Sequence, residues 1–244
     1  MDFTIEELSM NAWPSLGTVL YDGWILRMAE GYTKRANSVN PVYPSNINLA
    51  EKIAYCSTLY SEHGLPLIFK LADCGYHREI DAVLGSLNYE TLDLTSVQAC
   101  ENLDTVHPAY RDNFVEESFS HTWLDGFFGC NNIKEKDRET IKAMLGRIVP
   151  RKITVCKMEG KAVAGCGYGV IERGYVGLFD IIVAEHHRGK GYGEEIVRTI
   201  LSEAKKQGAS SAYLQVVDAN TRAKNLYKKI GFREVYKYWY RKEK

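Results

Sequence analysis

A glycine-rich loop in the last third of the chain has the composition of an anion-binding site. Residues 185–195 read EHHRGKGYGEE; they follow an apolar run, VGLFDIIVA, and precede a stretch with helical periodicity, EEIVRTILSEAKKQG. Three glycines allow the backbone to approach an anion closely, and Arg188 and Lys190 add positive charge. A strand, a glycine-rich loop and a helix N-terminus in this order can bind a phosphate group. The loop therefore predicts a ligand that carries phosphate.

Two common nucleotide-binding patterns do not describe this loop. A dinucleotide fingerprint has the spacing G-x-G-x-x-G near the first strand of its domain, whereas the spacing here is G-x-G-x-G. The P-loop pattern G-x-x-x-x-G-K-S/T is also absent. Taken alone, a loop of this kind is more often a tight turn with exposed basic residues. A second motif is therefore needed to distinguish a phosphate-binding loop from such a turn.

The second motif begins 27 residues after Gly193. Residues 220–232 read NTRAKNLYKKIGF, and they fill the pattern N-x-x-A-x-x-x-Y-x-x-x-G-F at every specified position. Together with R-x-x-G-x-G in the loop, this pattern resembles the two hallmark motifs of the GNAT acetyltransferases. The resemblance covers residues 107–244. Within it, LFDIIVAEHHRGKGYG is most similar to the ribosomal-protein alanine N-acetyltransferases, and also to many small-molecule acetylators.

The resemblance implies an acyl-CoA-dependent N-acetyltransferase with acetyl-CoA as its cosubstrate. In such a site the strand before the loop offers backbone groups to the pantetheine arm, and the loop and helix start surround the pyrophosphate. The residues implied to bind acetyl-CoA are Ile181, Ile182, Val183, Arg188, Gly189, Lys190, Gly191, Tyr192, Gly193, Glu194, Asn220 and Tyr227. Tyr227 would protonate the departing CoA thiolate, and a backbone N–H near Ile182 would bind the oxyanion. The amine attacks the thioester directly, so no enzyme nucleophile is expected.

The general base is the position where this sequence departs from the alanine N-acetyltransferases. They carry a glutamate where this chain has Gln215, and a glutamine does not usefully accept a proton. Asp180 is the best replacement, although it could also be a carboxylate that is merely hydrogen-bonded. Glu172 is a weaker candidate, and the two histidines of the loop are expected to face solvent or phosphate. Tyr227 and Asp180 are therefore the predicted catalytic residues.

The elements around these motifs occur in the same order in both halves of the chain. The tails LPLIFKLADCGYHREIDAVLGSLNYETLDL and SAYLQVVDANTRAKNLYKKIGFREVYKYW both run strand, aspartate, helix, small-plus-aromatic pair and strand, which indicates a divergent internal repeat. We expect an α/β fold with mixed (α+β) sheets, built from tandem GNAT-like domains at residues 1–105 and 106–244, with a central sheet in each half. Only the second domain has the acetyl-CoA loop.

The first half is expected to have lost acetyl-CoA binding. The sequence NPVYPSNIN stands where the glycine-rich loop would be, and Pro41 and Pro44 leave fewer free N–H groups for a phosphate. Residues 1–105 would then build one wall of the acceptor site. The residues expected to face that site are Trp24, Arg27, Arg35 and Asn37. An ordinary β-hairpin with exposed polar residues explains this segment at least as well.

Composition limits the classes of partner. Lysine plus arginine and aspartate plus glutamate number 31 each in 244 residues, which disfavours a nucleic acid or an anionic membrane held by long-range charge. The apolar runs are too short to span a bilayer, and the N-terminus has no signal-peptide pattern. Six cysteines without a C-x-x-C pair suggest reduced thiols in the cytoplasm. No metal site is expected, even though Cys74 and His77 are three residues apart.

The residues are compatible with functions from two classes. The first is an N-acetyltransferase that acts on a primary amine of a small molecule or peptide, and the second is a non-catalytic module that senses acyl-CoA. The presence of Tyr227 favours the enzyme. The presence of Gln215 in place of the family's glutamate is compatible with the acyl-CoA sensor. The sequence does not specify the amine, the preferred acyl chain or the oligomeric state.

Overall fold

The computed structural model describes residues 4–108 and 113–244, which form seven α-helices and eleven β-strands. The first half contains α1 (Thr4–Ala12), β1 (Gly17–Tyr21), β2 (Trp24–Met28), β3 (Val39–Pro41), α2 (Leu49–Glu62), β4 (Ile68–Ala72), α3 (Gly75–Ser86) and β5 (Glu90–Cys100). The second half contains β6 (Asn113–Glu116), α4 (His121–Cys130), α5 (Glu135–Leu145), β7 (Arg151–Glu159), β8 (Ala162–Glu172), β9 (Tyr175–Val183), α6 (Tyr192–Lys206), β10 (Ser211–Val217), α7 (Thr221–Ile230) and β11 (Arg233–Lys242).

The eleven strands form one mixed sheet in the order β1-β2-β3-β4-β11-β5-β10-β9-β8-β7-β6. The mixed α/β class expected from the sequence is confirmed. The expectation of a separate central sheet in each half is wrong, because β5 lies between β10 and β11 while β11 lies between β4 and β5. Each half thus contributes a strand that pairs with the other half, and neither half ends in an open sheet edge at the junction. The division into domains at residues 105 and 106 stays a prediction.

The order strand, helix, strand, helix, strand occurs twice along the chain. It is seen in β3-α2-β4-α3-β5 and again in β9-α6-β10-α7-β11, and in each case the first two strands are parallel. The exchanged strands β5 and β11 pair antiparallel with each other at the centre. The parallel pair of β3 and β4 therefore lies on one side of the central strands, and the parallel pair of β9 and β10 lies on the other. The place where β3 and β4 diverge can be compared with the place where β9 and β10 diverge.

The two faces of the sheet carry different cores. One core lies beneath α6 and α7 and belongs mostly to the second half, with Ile196 and Leu214 among its buried residues. The core on the other face is shared, since Trp13 and Ala36 of the first half pack in it with Tyr168 of the second. Because apolar burial is the main favourable term in folding, this shared core holds the loop between β2 and β3 against β8 and β9.

Membrane-spanning helices, cysteine pairing and metal-ligating groups were also considered from the sequence. No helix within residues 4–108 and 113–244 is both long and apolar enough to cross a membrane. All six cysteines are free thiols. The described part of the chain has no group of three or more histidine, cysteine, aspartate or glutamate side chains placed to hold a metal ion. The ring of His77 bonds instead to the backbone of Ala72 and Pro41.

Candidate active site

A split between two parallel strands creates the candidate site. Strands β9 and β10 pair only over residues 175–178 and 211–214, and beyond these the strands diverge. A β-bulge in β9 accompanies the split, because Asp180 and Ile181 both lie opposite Gly167 of β8. The backbone of Asp180 is left-handed there, with φ of +49°, a conformation that aspartate tolerates better than most residues.

Crowding at the bulge requires a glycine on β8. A Cβ at Gly167 would lie 2.5 Å from Ile181 Cδ1 and 3.1 Å from Ile196 Cγ2. The apolar side chains of β9 and α6 therefore pack directly on the β8 backbone. This close packing fixes where the bulge forms and hence where β9 turns away from β10.

The cleft at the split has a volume of about 550 Å³. It is lined by the end of β9, the glycine-rich loop, the first turn of α6 and one face of α7. The lining residues are Ile181, Ile182, Val183, His187, Arg188, Gly189, Gly191, Tyr192, Gly193, Glu194, Asn220, Arg222, Ala223, Leu226 and Tyr227. Every residue predicted to bind acetyl-CoA is in this set except Lys190. The two sequence motifs therefore meet in one cavity.

The conformation of the loop, and not crowding within the chain, explains two of its glycines. Gly189 and Gly191 have left-handed backbones, with φ of +87° and +86°, and no atom lies within 4 Å of a Cβ placed at either residue. Gly191 is the N-cap of α6, and its carbonyl accepts from Glu195 N–H at 3.1 Å. The N–H groups of residues 192–194 therefore have no intrahelical partner, and these residues border the cleft.

Side chains of the loop are anchored to neighbouring strands. Lys190 lies outside the cleft lining, with its Nζ 3.5 Å from Glu159 Oε1 at the end of β7. The Tyr192 hydroxyl donates to the same carboxylate. Arg188 Nε donates to the Val183 carbonyl at 3.3 Å while the residue still lines the cleft. These contacts hold the loop so that its backbone faces the cavity.

The acidic residue in the first turn of α6 is neutralised by two cations. Glu194 accepts from Lys229 Nζ at 2.8 Å and from Arg198 Nε at 2.9 Å. The hydrogen bond from Lys229, followed by that from Arg198, holds the pKa of Glu194 below its ordinary value. Because its charge is paired, this carboxylate does not repel an anion bound at the helix N-terminus.

Part of the second motif specifies α7 itself. Asn220 is the N-cap, where its Oδ1 accepts from Ala223 N–H at 3.1 Å, and Gly231 ends the helix with φ of +116°. Tyr227 is only 9% exposed and packs against Phe232 with 5.9 Å between ring centroids. Burial raises the pKa of Tyr227 to about 12. The phenol therefore keeps its proton at neutral pH and is available as an acid.

Asp180 lies at the bulge, immediately before the residues that line the cleft, but it does not line the cleft itself. The residue is half-buried, and its Oδ2 is buried without a hydrogen-bond partner. Burial raises the pKa of Asp180 to about 6, even though the Arg35 guanidinium lowers it. The unpartnered Oδ2 argues against a carboxylate that is merely hydrogen-bonded. A group with this pKa is ionised at neutral pH and can accept a proton.

Two other polar residues considered from the sequence have different surroundings. Gln215 Oε1 accepts from the Tyr238 hydroxyl at 3.3 Å, across the intervening strand β5, and its Nε2 is buried without a partner. Glu172 lies at the far end of β8 from the bulge, where it accepts from Asn11 Nδ2 at 3.0 Å. Glu172 is therefore remote from the split, whereas Gln215 follows the last residue of β10 that pairs with β9.

The four first-half residues expected near the acceptor site have different surroundings. Trp24 is buried in the core of the first half. Asn37 holds the preceding loop with its side-chain amide, and Arg27 donates to the Arg35 carbonyl at 2.8 Å. These three residues shape the segment and do not line the cleft between β9 and β10. Arg35 is half-buried, and its charge lowers the pKa of Asp180.

Sequence reasoning missed three cleft residues on α7. Ala223 lies one helical turn before Tyr227, so the spacing of four residues could have placed it on the same face. Arg222 and Leu226 also line the cleft. Neither is a specified position of the motif, and their contribution depends on how α7 is rotated against β9.

Comparison with known proteins relates the whole chain to N-acetyltransferases. The family described as "Probable histone acetyltransferase Rv0428c C-terminal" matches residues 4–241. The "Uncharacterized N-acetyltransferase YobR" of Bacillus subtilis (strain 168) is 30% identical over 247 residues, which cover 97% of this chain and 96% of that protein. The match extends over both halves, including the half without the glycine-rich loop.

A solved structure and a shorter match agree with this relationship. The GCN5-related N-acetyltransferase from Kribbella flavida matches with a TM-score of 0.68 at 14% identity and covers 98% of this chain and 94% of that one. At this identity the match shows a shared fold alone. The ribosomal protein bS18 alanine N-acetyltransferase of Haemophilus influenzae is 34% identical over 58 residues, which are 24% of this chain and 39% of that protein.

Proposed function

Because this chain belongs to the GNAT superfamily of N-acetyltransferases, we propose that it transfers the acetyl group of acetyl-CoA directly to a primary amine of a small molecule or peptide. The observation that carries the proposal is the convergence of both sequence motifs on one cleft beside the split between β9 and β10. The full-length match to a protein named as an N-acetyltransferase supports it.

The residues of the cleft fit acetyl-CoA. The N–H groups of residues 192–194 and the dipole of α6 favour an anion such as the pyrophosphate, and Arg188 and Arg222 add positive charge there. Residues 181–183 lie beyond the last residues of β9 that pair with β10, so their backbone can pair with the pantetheine arm. The volume of about 550 Å³ is in the range of small-molecule sites.

The transfer requires a base for the amine and an acid for the thiolate. Asp180 takes a proton from the attacking amine, directly or through water, while the new N–C bond forms and the C–S bond breaks. Tyr227 gives its proton to the departing sulfur. With a pKa of about 6 for Asp180 and about 12 for Tyr227, the base is ionised and the acid protonated at neutral pH. A backbone N–H near Ile182 is proposed to stabilise the oxyanion.

The first half is proposed to support the acceptor side without binding acetyl-CoA. Its loop between β2 and β3 packs in the shared core against Tyr168 and Phe179 of the second half, and it carries Arg35 towards Asp180. In the first half, Pro41 and Pro44 stand where the second half has its glycine-rich loop. The six free thiols support a cytoplasmic location.

Acetyl-CoA binding and acetyl transfer can be measured separately. Calorimetry reports the affinity for acetyl-CoA, and release of the CoA thiol reports transfer to amino acids, polyamines and peptides with free N-termini. We expect Tyr227→Phe to lower kcat about 100-fold with little change in the KM for acetyl-CoA. Tyr55→Phe, on the exposed face of α2, is the matched control and should leave both constants unchanged.

The opposite result would favour a different function. Tight binding of acetyl-CoA without transfer to any amine would contradict an enzyme and would identify an acyl-CoA sensor. An unchanged kcat in Tyr227→Phe would retain the transferase and reject Tyr227 as its acid.

A further inference from the structure

Three buried polar atoms near the bulge lack hydrogen-bond partners. They are Asp180 Oδ2, Arg35 Nε and Gln215 Nε2. Buried polar atoms in folded proteins are nearly always paired, so a group of unpaired ones calls for a ligand or an ordered water. One of the three is a hydrogen-bond acceptor and two are donors, and the acceptor carries a negative charge while one donor carries a positive charge.

The arginine of this cluster is held in place by buried residues. Arg27, which is 2% exposed, donates from Nη1 to the Arg35 carbonyl at 2.8 Å and from Nη2 to the Met10 carbonyl at 3.4 Å. Asn37 accepts from the N–H groups of Ala29 and Gly31 and so closes the loop that leads to Arg35. The guanidinium is thus presented by a rigid support from the first half, which reduces the entropy lost on binding a partner.

One tyrosine lies near both Arg35 and Gln215. Burial opposes the charge of Arg35, but the neighbouring Tyr238, Tyr240 and Asp180 raise the pKa of the guanidinium. Tyr238 in turn donates to Gln215 Oε1 at 3.3 Å. Gln215 therefore has its carbonyl occupied and its N–H₂ group left for another acceptor.

Arg35 and Asp180 influence one another without forming an ion pair. Among the residues that the structure describes, neither takes part in a salt bridge, although Arg35 lowers the pKa of Asp180. Neither charge is therefore neutralised by direct contact with the other. Both charges are costly to bury without a partner, so a molecule that satisfies both would bind favourably.

The cluster is adjacent to the acetyl-CoA cleft. Asp180 directly precedes the first lining residue of β9, and Ile182 both lines the cleft and packs against the shared core that contains Tyr168. The end of β9 therefore lies between the acetyl-CoA cleft and the polar cluster. An amine bound at Asp180 would approach the cleft from the side opposite α6.

We propose that this cluster is the acceptor site and that the acceptor is a small amine that also carries a carboxylate, such as a free amino acid. The amine donates to Asp180 Oδ2, and the carboxylate accepts from Arg35 Nε and Gln215 Nε2. The proposal rests on the proposed transferase function and narrows its acceptor. A peptide N-terminus has an uncharged carbonyl in place of the carboxylate, so it would leave the charge of Arg35 unpaired.

Matched acceptor pairs test this assignment. Each common amino acid is compared with its α-amide and with the same amine lacking the carboxylate, by CoA-thiol release at pH 8.5, which lies above the pKa of about 6 for Asp180 in the wild-type protein. The wild-type protein should prefer the acid by about 100-fold or more in kcat/KM, since removing the partner leaves buried donors unpaired. The assignment is overturned if the amides or the carboxylate-free amines are used as well as the acids.

A variant assigns the preference to Arg35. Arg35→Gln should lower kcat/KM for the acid about 100-fold and for the amide only a few-fold. Lys34→Gln, in the same turn, alters a surface pair with Asp93 and serves as the matched control with an unchanged preference. Equal losses for acid and amide in Arg35→Gln would indicate a structural role and would reject the carboxylate contact.

Equilibrium binding separates this inference from the transferase function and does not require the variant to fold. Calorimetry on wild-type protein saturated with CoA should detect the amino acid and not its amide. If no acetyl transfer occurs with any amine but the acid still binds preferentially, the transferase function fails and the carboxylate site stands. If transfer occurs only to amines without a carboxylate, the function stands and the site assignment fails.

Discussion

The two strand splits of the sheet differ in what fills them. In the second half, the split between β9 and β10 opens a cleft of about 550 Å³. In the first half, β3 and β4 share the single pair Val39–Phe69, and His77 bridges their diverging ends. Its Nδ1 accepts from Ala72 N–H at 2.9 Å and its Nε2 donates to the Pro41 carbonyl at 2.5 Å, and the space left beside it is about 10 Å³.

A buried ion pair completes the filling of the first-half split. Lys70 Nζ lies 2.5 Å from Glu6 Oε2, and the Tyr236 hydroxyl donates to Glu6 Oε1 at 2.6 Å. Burial alone would raise the pKa of Glu6, but Lys70 and Tyr236 hold it below its ordinary value. Glu6 and Lys70 are thus paired within the chain, although Asn40 Oδ1 beside them is buried without a partner, as is Asp180 Oδ2 at the second split. The two splits therefore differ mainly in the space that they enclose, about 10 Å³ in the first half and about 550 Å³ in the second.

The largest expected effect is at the unpaired carboxylate. Asp180→Asn removes the base but keeps a side chain that tolerates a left-handed backbone, so kcat/KM should fall about 1000-fold. Asp73→Asn, at a surface residue that follows β4 and pairs with Arg78, should leave kcat/KM unchanged. Steady-state kinetics on both variants checks this, and equal activities for wild type and Asp180→Asn would remove Asp180 from the mechanism.

The same variant has a predicted effect on stability. The pKa of Asp180 in the folded protein, about 6, lies above its ordinary value of 3.8, so the ionised carboxylate opposes folding above pH 6 and the penalty is lost below about pH 4. Asp180→Asn should therefore keep or raise the Tm at pH 8. A marked fall in Tm at pH 8 would show that the activity loss reflects damaged folding.

The next effect concerns the loop that distinguishes the two halves. Gly191→Ala forces a side chain into a left-handed backbone, which costs about 1–2 kcal/mol, so the Kd for acetyl-CoA should rise about tenfold. Gly75→Ala, at the start of α3, has no positive φ and has open space around its Cβ. Calorimetry should find no change in the Kd for acetyl-CoA in Gly75→Ala. Similar Kd values for both variants would contradict a role of the loop in binding acetyl-CoA.

A smaller effect is expected from pH. Because the base must be ionised, kcat at saturating acceptor should rise about tenfold per unit below the pKa of Asp180 and level off above it, near pH 6. Arg35 lowers this pKa, so Arg35→Gln should move the inflection to higher pH; Tyr32, Tyr168 and Cys166 are further titratable groups near the carboxylate. An inflection that persists in Asp180→Asn would belong to another group.

The smallest effect on activity is expected where the first-half split is filled. His77→Ala removes two buried hydrogen bonds and should lower the free energy of unfolding by about 2 kcal/mol, while kcat and a stoichiometry of one acetyl-CoA per chain should remain. His63→Ala, at the exposed end of α2, is the control. Chemical denaturation and calorimetry check both, and two acetyl-CoA molecules per His77→Ala chain would show that the first half had kept a binding loop.

Local sequence signals predicted the cleft more completely than the acceptor side. The glycine spacing and the pattern of α7 reflect backbone conformations and caps that a few neighbouring residues specify, as at Gly191 and Asn220. Lys190 lies outside the cleft lining, and its side chain pairs with Glu159, a residue distant in sequence. Hydrogen bonds within the loop occupy the side chains of Arg27 and Asn37, and local sequence does not reveal these contacts.

The sequence by itself determined the mixed α/β class, the glycine-rich loop, the helix with Tyr227 and the difference between the two halves. These features depend on periodicity, caps and backbone dihedral angles, which are properties of short segments. Only the tertiary structure decided that the halves exchange β5 and β11 in one sheet, that His77 fills one split, and that Arg35 approaches Asp180. Those outcomes depend on pairing and burial between residues far apart in the chain, and local sequence does not encode such contacts.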